Sequence, residues 1–294
     1  MSVTKTRRVW FSLSGLLVVG SILAIGVWGL KPGIDFIGGS VLEVRGPTVT
    51  VPSVRDALAK RGTASAIVQT TGGGSVLVRL PLLDAAGHEQ LLGELRGIFP
   101  ELEERQFSTV GPVVSRELLQ KSLLAVVLAT LGILLYLAFV FRKTTAVVSP
   151  WAFGIIAILA LVHDVLIATG FFAVYAHFWS ASADSLFVAA ILTTLGFSVH
   201  DTIVIFNRVK ANLRMLRLPF ADLVDRSVTE TFTRSLNTSM TTLLVLLALL
   251  FFGGITIRPF LLTLSAGIIV GTYSSIFVAA PLLVVWQQRR GRHG

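Results

Sequence analysis

Six apolar stretches, each long enough to cross a lipid bilayer, leave this chain little choice of fold. They cover residues 9–30, 118–141, 147–175, 185–206, 234–252 and 260–286. A spanning helix needs roughly 20 apolar residues, and at about 1.5 Å of rise per residue each stretch reaches about 27 Å or more. Hydrophobic residues make up 53% of the 294-residue chain and charged residues only 14%. Soluble chains carry roughly 25% charged residues, so a soluble enzyme and a disordered tail are both excluded. The absence of cysteine excludes a disulfide framework, a thiolate metal site and a thiol nucleophile.

The net charge of +9 suggests nucleic acid until the cations are placed. Lys5, Arg7 and Arg8 precede the first stretch. Arg142 and Lys143 lie between the second and third. Arg208, Lys210, Arg214, Arg217, Arg226 and Arg234 follow the fourth, and Arg289, Arg290 and Arg292 follow the sixth. The short connections on the opposite side hold only Arg258, so the count is fourteen against one. That is a positive-inside pattern with both termini cytoplasmic, and it accounts for the cations without nucleic acid. The first apolar run is longer than a signal-peptide core of roughly 7–15 residues, and no small-x-small cleavage site follows it. It reads as an uncleaved helix.

The chain therefore divides into an N-terminus with the first helix (1–30), an extracytoplasmic domain (31–117), a five-helix membrane bundle (118–286) and a basic cytoplasmic tail (287–294). In the domain, residues 40–45 alternate as a strand and 52–61 form a short helix. Residues 65–71 and 75–80 read as a hairpin turning at Gly72-Gly73-Gly74. An amphipathic helix over 85–99 and a strand over 105–110 complete a β-α-β-β-α-β order, that of the ferredoxin-like split unit. The three glycines are followed by a strand and no Lys-Ser/Thr pair, which argues for a turn and against a phosphate loop. The fold class is thus a polytopic α-helical membrane protein with six transmembrane helices and an α+β domain between helices one and two. No metal or catalytic spacing stands out, and no cofactor is expected.

Ionisable groups inside a bilayer are costly, so they are functional candidates by default. Asp201 closes a stripe with Thr194 and Ser198 at i, i+4 and i+7. Arg234, continued by Thr238, Thr241 and Thr242, lies at similar depth on the next antiparallel helix, where it can pair with Asp201. Such a pair would serve either as a proton-carrying switch or as a static packing contact, and Arg234 would alternatively snorkel to the interface. Asp164 sits near mid-depth, as the outer step of the same path or as a hydrogen-bonded packing residue. His163 and His200 each precede an aspartate, about 100° around the helix from it, either as proton shuttles or as hydrogen-bonded polar groups. Thr263, Gly267, Gly271, Ser275 and Ala279 form a small-residue row, suited to packing within the chain or against a second subunit. Residues 207–227 read as a basic, partly amphipathic segment along the membrane surface.

Several ordered landmarks resemble one family. They are Gly33-Ile34-Asp35-Phe36-Ile37-Gly38-Gly39 after the first helix, Val110-Gly111-Pro112 before the second, and Val162-His163-Asp164-Val165 in the third. Gly196–Arg208, with Ser198, His200 and Asp201, and Thr233–Ser239, with Arg234, follow. Together they resemble SecF-type subunits of the SecD/SecF family, within the resistance–nodulation–division superfamily, over residues 7–286. The resemblance implies a SecD partner, a twelve-helix unit beside the SecYEG channel, and proton-motive-force-driven help to late-stage protein export, with protons as the coupling ion and a translocating polypeptide as cargo. It assigns the membrane carboxylate to Asp201 and the functional arginine to Arg234. Asp35, Gly33, Gly38 and Gly39 are implied to join helix and domain. Asn207 and Ala211 stand where the family usually carries acids, and His200 where it often carries asparagine. The alternatives are a non-transporting scaffold of the same complex and half of a small-molecule exporter. The 85-residue domain leaves the exporter little room for a pocket.

Overall fold

The computed structural model describes residues 2–63, 66–70, 74–142 and 150–290. Most of the expected triple-glycine turn, Lys143 and the end of the basic tail lie outside these. The chain forms two units. The first comprises residues 31–124 and 182–185. It contains α2 (Ile34–Ile37), β1 (Gly39–Arg45), α3 (Val51–Lys60), β2 (Ile67–Thr70), β3 (Ser75–Leu80), α4 (Ala85–Ile98) and β4 (Glu103–Val110). The sheet order is β2-β3-β1-β4 with every pairing antiparallel. β1 thus lies between β3 and β4, as the split β-α-β arrangement requires. One sheet face and the two helices close over Leu42, Val44, Val54, Val76, Val78, Leu91 and Leu95, all at most 2% exposed.

Local chemistry sets the helix starts. Thr50 and Ser53 cap α3 reciprocally, and the Asp84 carboxylate accepts from the Gly87 N–H at 2.8 Å to open α4. Gly39 has φ +127°, and a Cβ there would lie 2.8 Å from the Leu80 carbonyl oxygen, so only glycine starts β1 without displacing β3.

The second unit is the helical bundle. Its helices are α1 (Arg7–Trp28), most of α5 (Pro112–Phe141), α6 (Pro150–Trp179), α7 (Ser185–Met215), α8 (Phe220–Phe252), α9 (Arg258–Ser274) and α10 (Ala280–Arg290). Among the described residues six helices are long and apolar enough to cross a membrane, with α9 and α10 forming one span. That span is not one regular helix. A π-helical turn over Ser275–Ala279 joins its halves, with the Ala280 N–H donating to the Ser275 carbonyl. α6 packs on α1 and α9, and α8 packs on α9. Phe141 stacks on Phe153 at a centroid distance of 5.0 Å, and Phe206 meets Phe153 and Phe141 edge-on at 5.2 and 6.0 Å, locking α5, α6 and α7 together.

Residues 207–227 differ from the sequence expectation. They extend α7 to Met215 and open α8 at Phe220, which makes a helical hairpin and not a segment lying flat on a surface. Part of the apolar face that suggested surface binding is used inside the bundle, where Leu223 is buried and half-buried Leu213 and Phe220 pack against the same core cluster. Glu230 clasps the hairpin. It accepts from Arg208 Nε at 2.6 Å, Asn212 Nδ2 at 2.8 Å and Arg226 Nε at 3.0 Å. Thr4 adds a tie, donating from its N–H and Oγ1 to the buried Asp225 carboxylate at 2.9 and 2.7 Å.

Candidate functional site

The polar residues of α6, α7, α8 and α9 meet inside the bundle. The small-residue row of α9 faces the hydroxyl stripe of α7 within this chain, which decides between the two packing partners open to it. A Cβ on Gly267 would overlap the Thr194 hydroxyl, and one on Gly271 would lie 3.1 Å from Ser198 Cβ. The next step, Ser275, meets Thr202 at 2.8 Å. Glycine on α9 thus brings the α7 stripe close enough for α9 hydroxyls to reach two buried aspartates.

Asp164 is fully buried. Its Oδ2 accepts from Ser198 Oγ at 2.5 Å and Ser274 Oγ at 2.7 Å, and its Oδ1 lies 2.8 Å from His163 Nδ1. The helical offset between adjacent residues predicts that His163 points away, yet its ring folds back onto the carboxylate. Asp201 is 5% exposed, and its Oδ2 accepts from Thr272 Oγ1 at 3.2 Å. Thr272 in turn meets Ser239 of α8 at 2.5 Å. Asp201 therefore sits at a junction of α7, α8 and α9.

The expected Asp201–Arg234 ion pair is not formed. Among the described residues no nitrogen of Arg234 lies within 4.0 Å of a carboxylate, and its side chain is exposed. The cause is helix phase. α8 turns Ser235 and Ser239 inward, and Arg234, one residue before Ser235, falls on the outer face. His200 is likewise exposed beside buried Asp201. Thr272, Ser274 and Ser239 were missed as partners. Their signal was present as hydroxyls inside apolar spans, but it needs the helix pairing to be read.

The glycine-rich segment belongs to the α+β unit. Gly33 donates its N–H to the Ala183 carbonyl and the Ala183 N–H donates to Lys31, both at 2.7 Å. Asp35 Oδ2 accepts from the Ser185 N–H at 3.0 Å and from Ser185 Oγ at 2.5 Å, so within this unit it ties residues 182–185 to the glycine-rich segment. Replacing Asp35 with Ala should lower stability by about 1–2 kcal/mol. Asp35→Asn, which keeps an acceptor, should lose less. Detergent unfolding monitored by protease resistance measures both, and equal losses would refute the role of these hydrogen bonds.

Among the described residues no three His, Asp or Glu side chains gather as a metal site would require.

A multi-pass helical bundle with an inserted antiparallel α+β domain and buried aspartates at its helix junctions defines a class of polytopic membrane proteins. The family profile described as "Protein export membrane protein SecD/SecF, C-terminal" matches residues 90–289, and the "SecD/SecF GG Motif" matches residues 24–45. The chain belongs to the SecD/SecF family. It is 42% identical to the protein translocase subunit SecF of Thermobaculum terrenum, over 98% of this chain and 95% of that one. It is 34% identical to that of Anaerolinea thermophila, over 100% and 96%. The crystal structure of SecDF, a translocon-associated membrane protein from Thermus thermophilus, matches with a TM-score of 0.86 at 35% identity, over 98% of this chain. This chain spans 39% of that SecDF chain. A second SecDF structure, in a super-membrane-facing form, matches with a TM-score of 0.71 at 34% identity.

Proposed function

We propose that this chain pairs with a SecD partner beside the SecYEG channel and uses the proton motive force to promote late-stage export of polypeptides across the cytoplasmic membrane. Family membership and the likeness to part of a SecDF chain support the partnership. The cation asymmetry of the connections supports cytoplasmic termini and an outer α+β domain.

The observation that carries the reading is Asp201, buried at a three-helix junction and accepting from Thr272. An ionised carboxylate accepts hydrogen bonds, and a protonated one also donates. A proton arriving at Asp201 therefore changes what Thr272 and, through it, Ser239 bind, and the α7–α8–α9 seam rearranges. One charge crossing 100 mV releases about 2.3 kcal/mol, comparable to a buried charge-assisted hydrogen bond. In this reading Arg234, exposed on the other face of α8, would reach Asp201 only if α8 turns during the cycle.

Asp201→Asn tests the proposal, with export measured in cells or inverted vesicles with and without a proton gradient. The expected result is export that no longer responds to the gradient while the complex still assembles. Full gradient dependence in the variant would remove the proton role from Asp201. Loss of assembly would favour the scaffold reading.

A further inference from the structure

The bundle holds a second ionisable unit that the reading above does not use. Asp164 is fully buried, and His163, 8% exposed, bonds to it through Nδ1. His163 Nε2 is buried and makes no hydrogen bond among the described residues. Three donors thus satisfy the carboxylate on both oxygens, and the imidazole keeps one buried nitrogen unpartnered.

We propose that His163 and Asp164 form a proton-holding pair, additional to Asp201, whose exchanging atom is His163 Nε2. The step balances simply. In the ionised pair the neutral imidazole carries its proton on Nδ1 and donates it to Oδ1. When an opening of the bundle brings water to the buried Nε2, a proton adds there, and the Nδ1 proton passes along the 2.8 Å contact to Oδ1. The product is a neutral imidazole protonated on Nε2 beside a neutral carboxylic acid. One proton is taken up and no other group changes charge. The two sites titrate as a unit, so the proton count belongs to the pair.

Other titratable groups do not explain the pair. On α7 the nearest are Asp201, one turn beyond Ser198, and exposed His200. On α9 it is Tyr273, whose hydroxyl is used by Ser14 and the Trp10 carbonyl. α1 carries none after Arg8, the π-helical turn carries none, and α10 carries only Arg289 and Arg290 at its far end.

The pair's charge is read by its neighbours. Ser198 of α7 and Ser274 of α9 both donate to Asp164 Oδ2, and a neutral acid holds them less strongly than a carboxylate. Ser274 directly precedes the π-helical turn, and the same two helices carry Asp201 and its partner Thr272. The pair thus loads the seam that Asp201 acts on. The role of this loading in export rests on the proposed proton-driven function, but the proton chemistry is tested without export.

The experiment is an infrared pH titration of the purified full chain in lipid vesicles, with isotope-labelled aspartate. The wild-type chain should show a buried carboxylic-acid band that disappears in Asp164→Asn and survives in Asp201→Asn. The informative variant is His163→Asn, whose amide N–H takes the place of Nδ1–H but offers no second titrating nitrogen. It should fold, yet move the midpoint of the Asp164 band by about tenfold or more in proton concentration. His163→Gln is measured in the same way should the asparagine variant fail to fold. An Asp164 band that does not titrate, or one with the wild-type midpoint in the His163 variant, overturns the proposal and leaves the pair as packing. A titrating Asp164 band together with gradient-insensitive wild-type export would instead sink the proton-driven function while keeping the pair.

Discussion

Replacing Gly170 with alanine should cost about 3 kcal/mol or more and leave little folded chain in the membrane, since overpacking a close contact typically costs roughly 1–3 kcal/mol and here the obstacle includes a main-chain atom. A Cβ on Gly170 of α6 would overlap the Ser21 side chain and lie 2.6 Å from Ser21 Cα on α1. Relief is not available through a side-chain rotation, because the obstacle includes backbone. α1 must move off α6, which gives up the close approach that small residues permit. Gly154→Ala, on the same helix with nothing within 4 Å of its Cβ, serves as the control and should be nearly neutral. Fluorescence-detected size exclusion and thermal unfolding in detergent distinguish the two. Equal behaviour of the two alanines would show that α1 and α6 are not held this closely.

Asp164→Ala should be the second large loss, about 2–6 kcal/mol, because it strands Ser198 Oγ and His163 Nδ1 in the interior, leaves Ser274 only the Gly271 carbonyl, and each unpaired buried polar group costs about 1–3 kcal/mol. All three now end on one carboxylate with no exposure. Asp201→Ala should cost less, about 1 kcal/mol, since Thr272 keeps Ser239 as a partner. Chemical unfolding of the two variants side by side gives the ordering. The reverse order would mean that Asp201, and not Asp164, fastens the bundle.

The six spans and the β-α-β-β-α-β order were legible because apolar length and strand alternation depend only on neighbours along the chain. The two aspartates were legible for a related reason, since a carboxylate in an apolar run stands out without knowledge of the fold. Their partners were not. Thr272 and Ser274 belong to α9 and reach different aspartates, a fact of helix packing and phase that spacing within one helix does not contain. The same limit explains Arg234. Matching its depth to Asp201 was simple arithmetic, but one residue of rotation, about 100°, puts Ser235 inside in its place. In residues 207–227 the apolar residues were assigned to lipid along one segment, whereas the helix breaks at 216–219 and Leu213, Phe220 and Leu223 pack into the protein core.

The wide turn at Ser275–Ala279 has a geometric consequence for the whole last span. In a regular helix each advance of four positions overshoots a full revolution by about 40°, so a row of every fourth residue spirals away from a straight neighbour. Yet Thr263, Gly267, Gly271, Ser275 and Ala279 all stay buried. By taking one extra residue to complete a loop, the turn offsets part of that drift over its own length, so Ala279 returns toward the side from which Ser275 reaches Thr202.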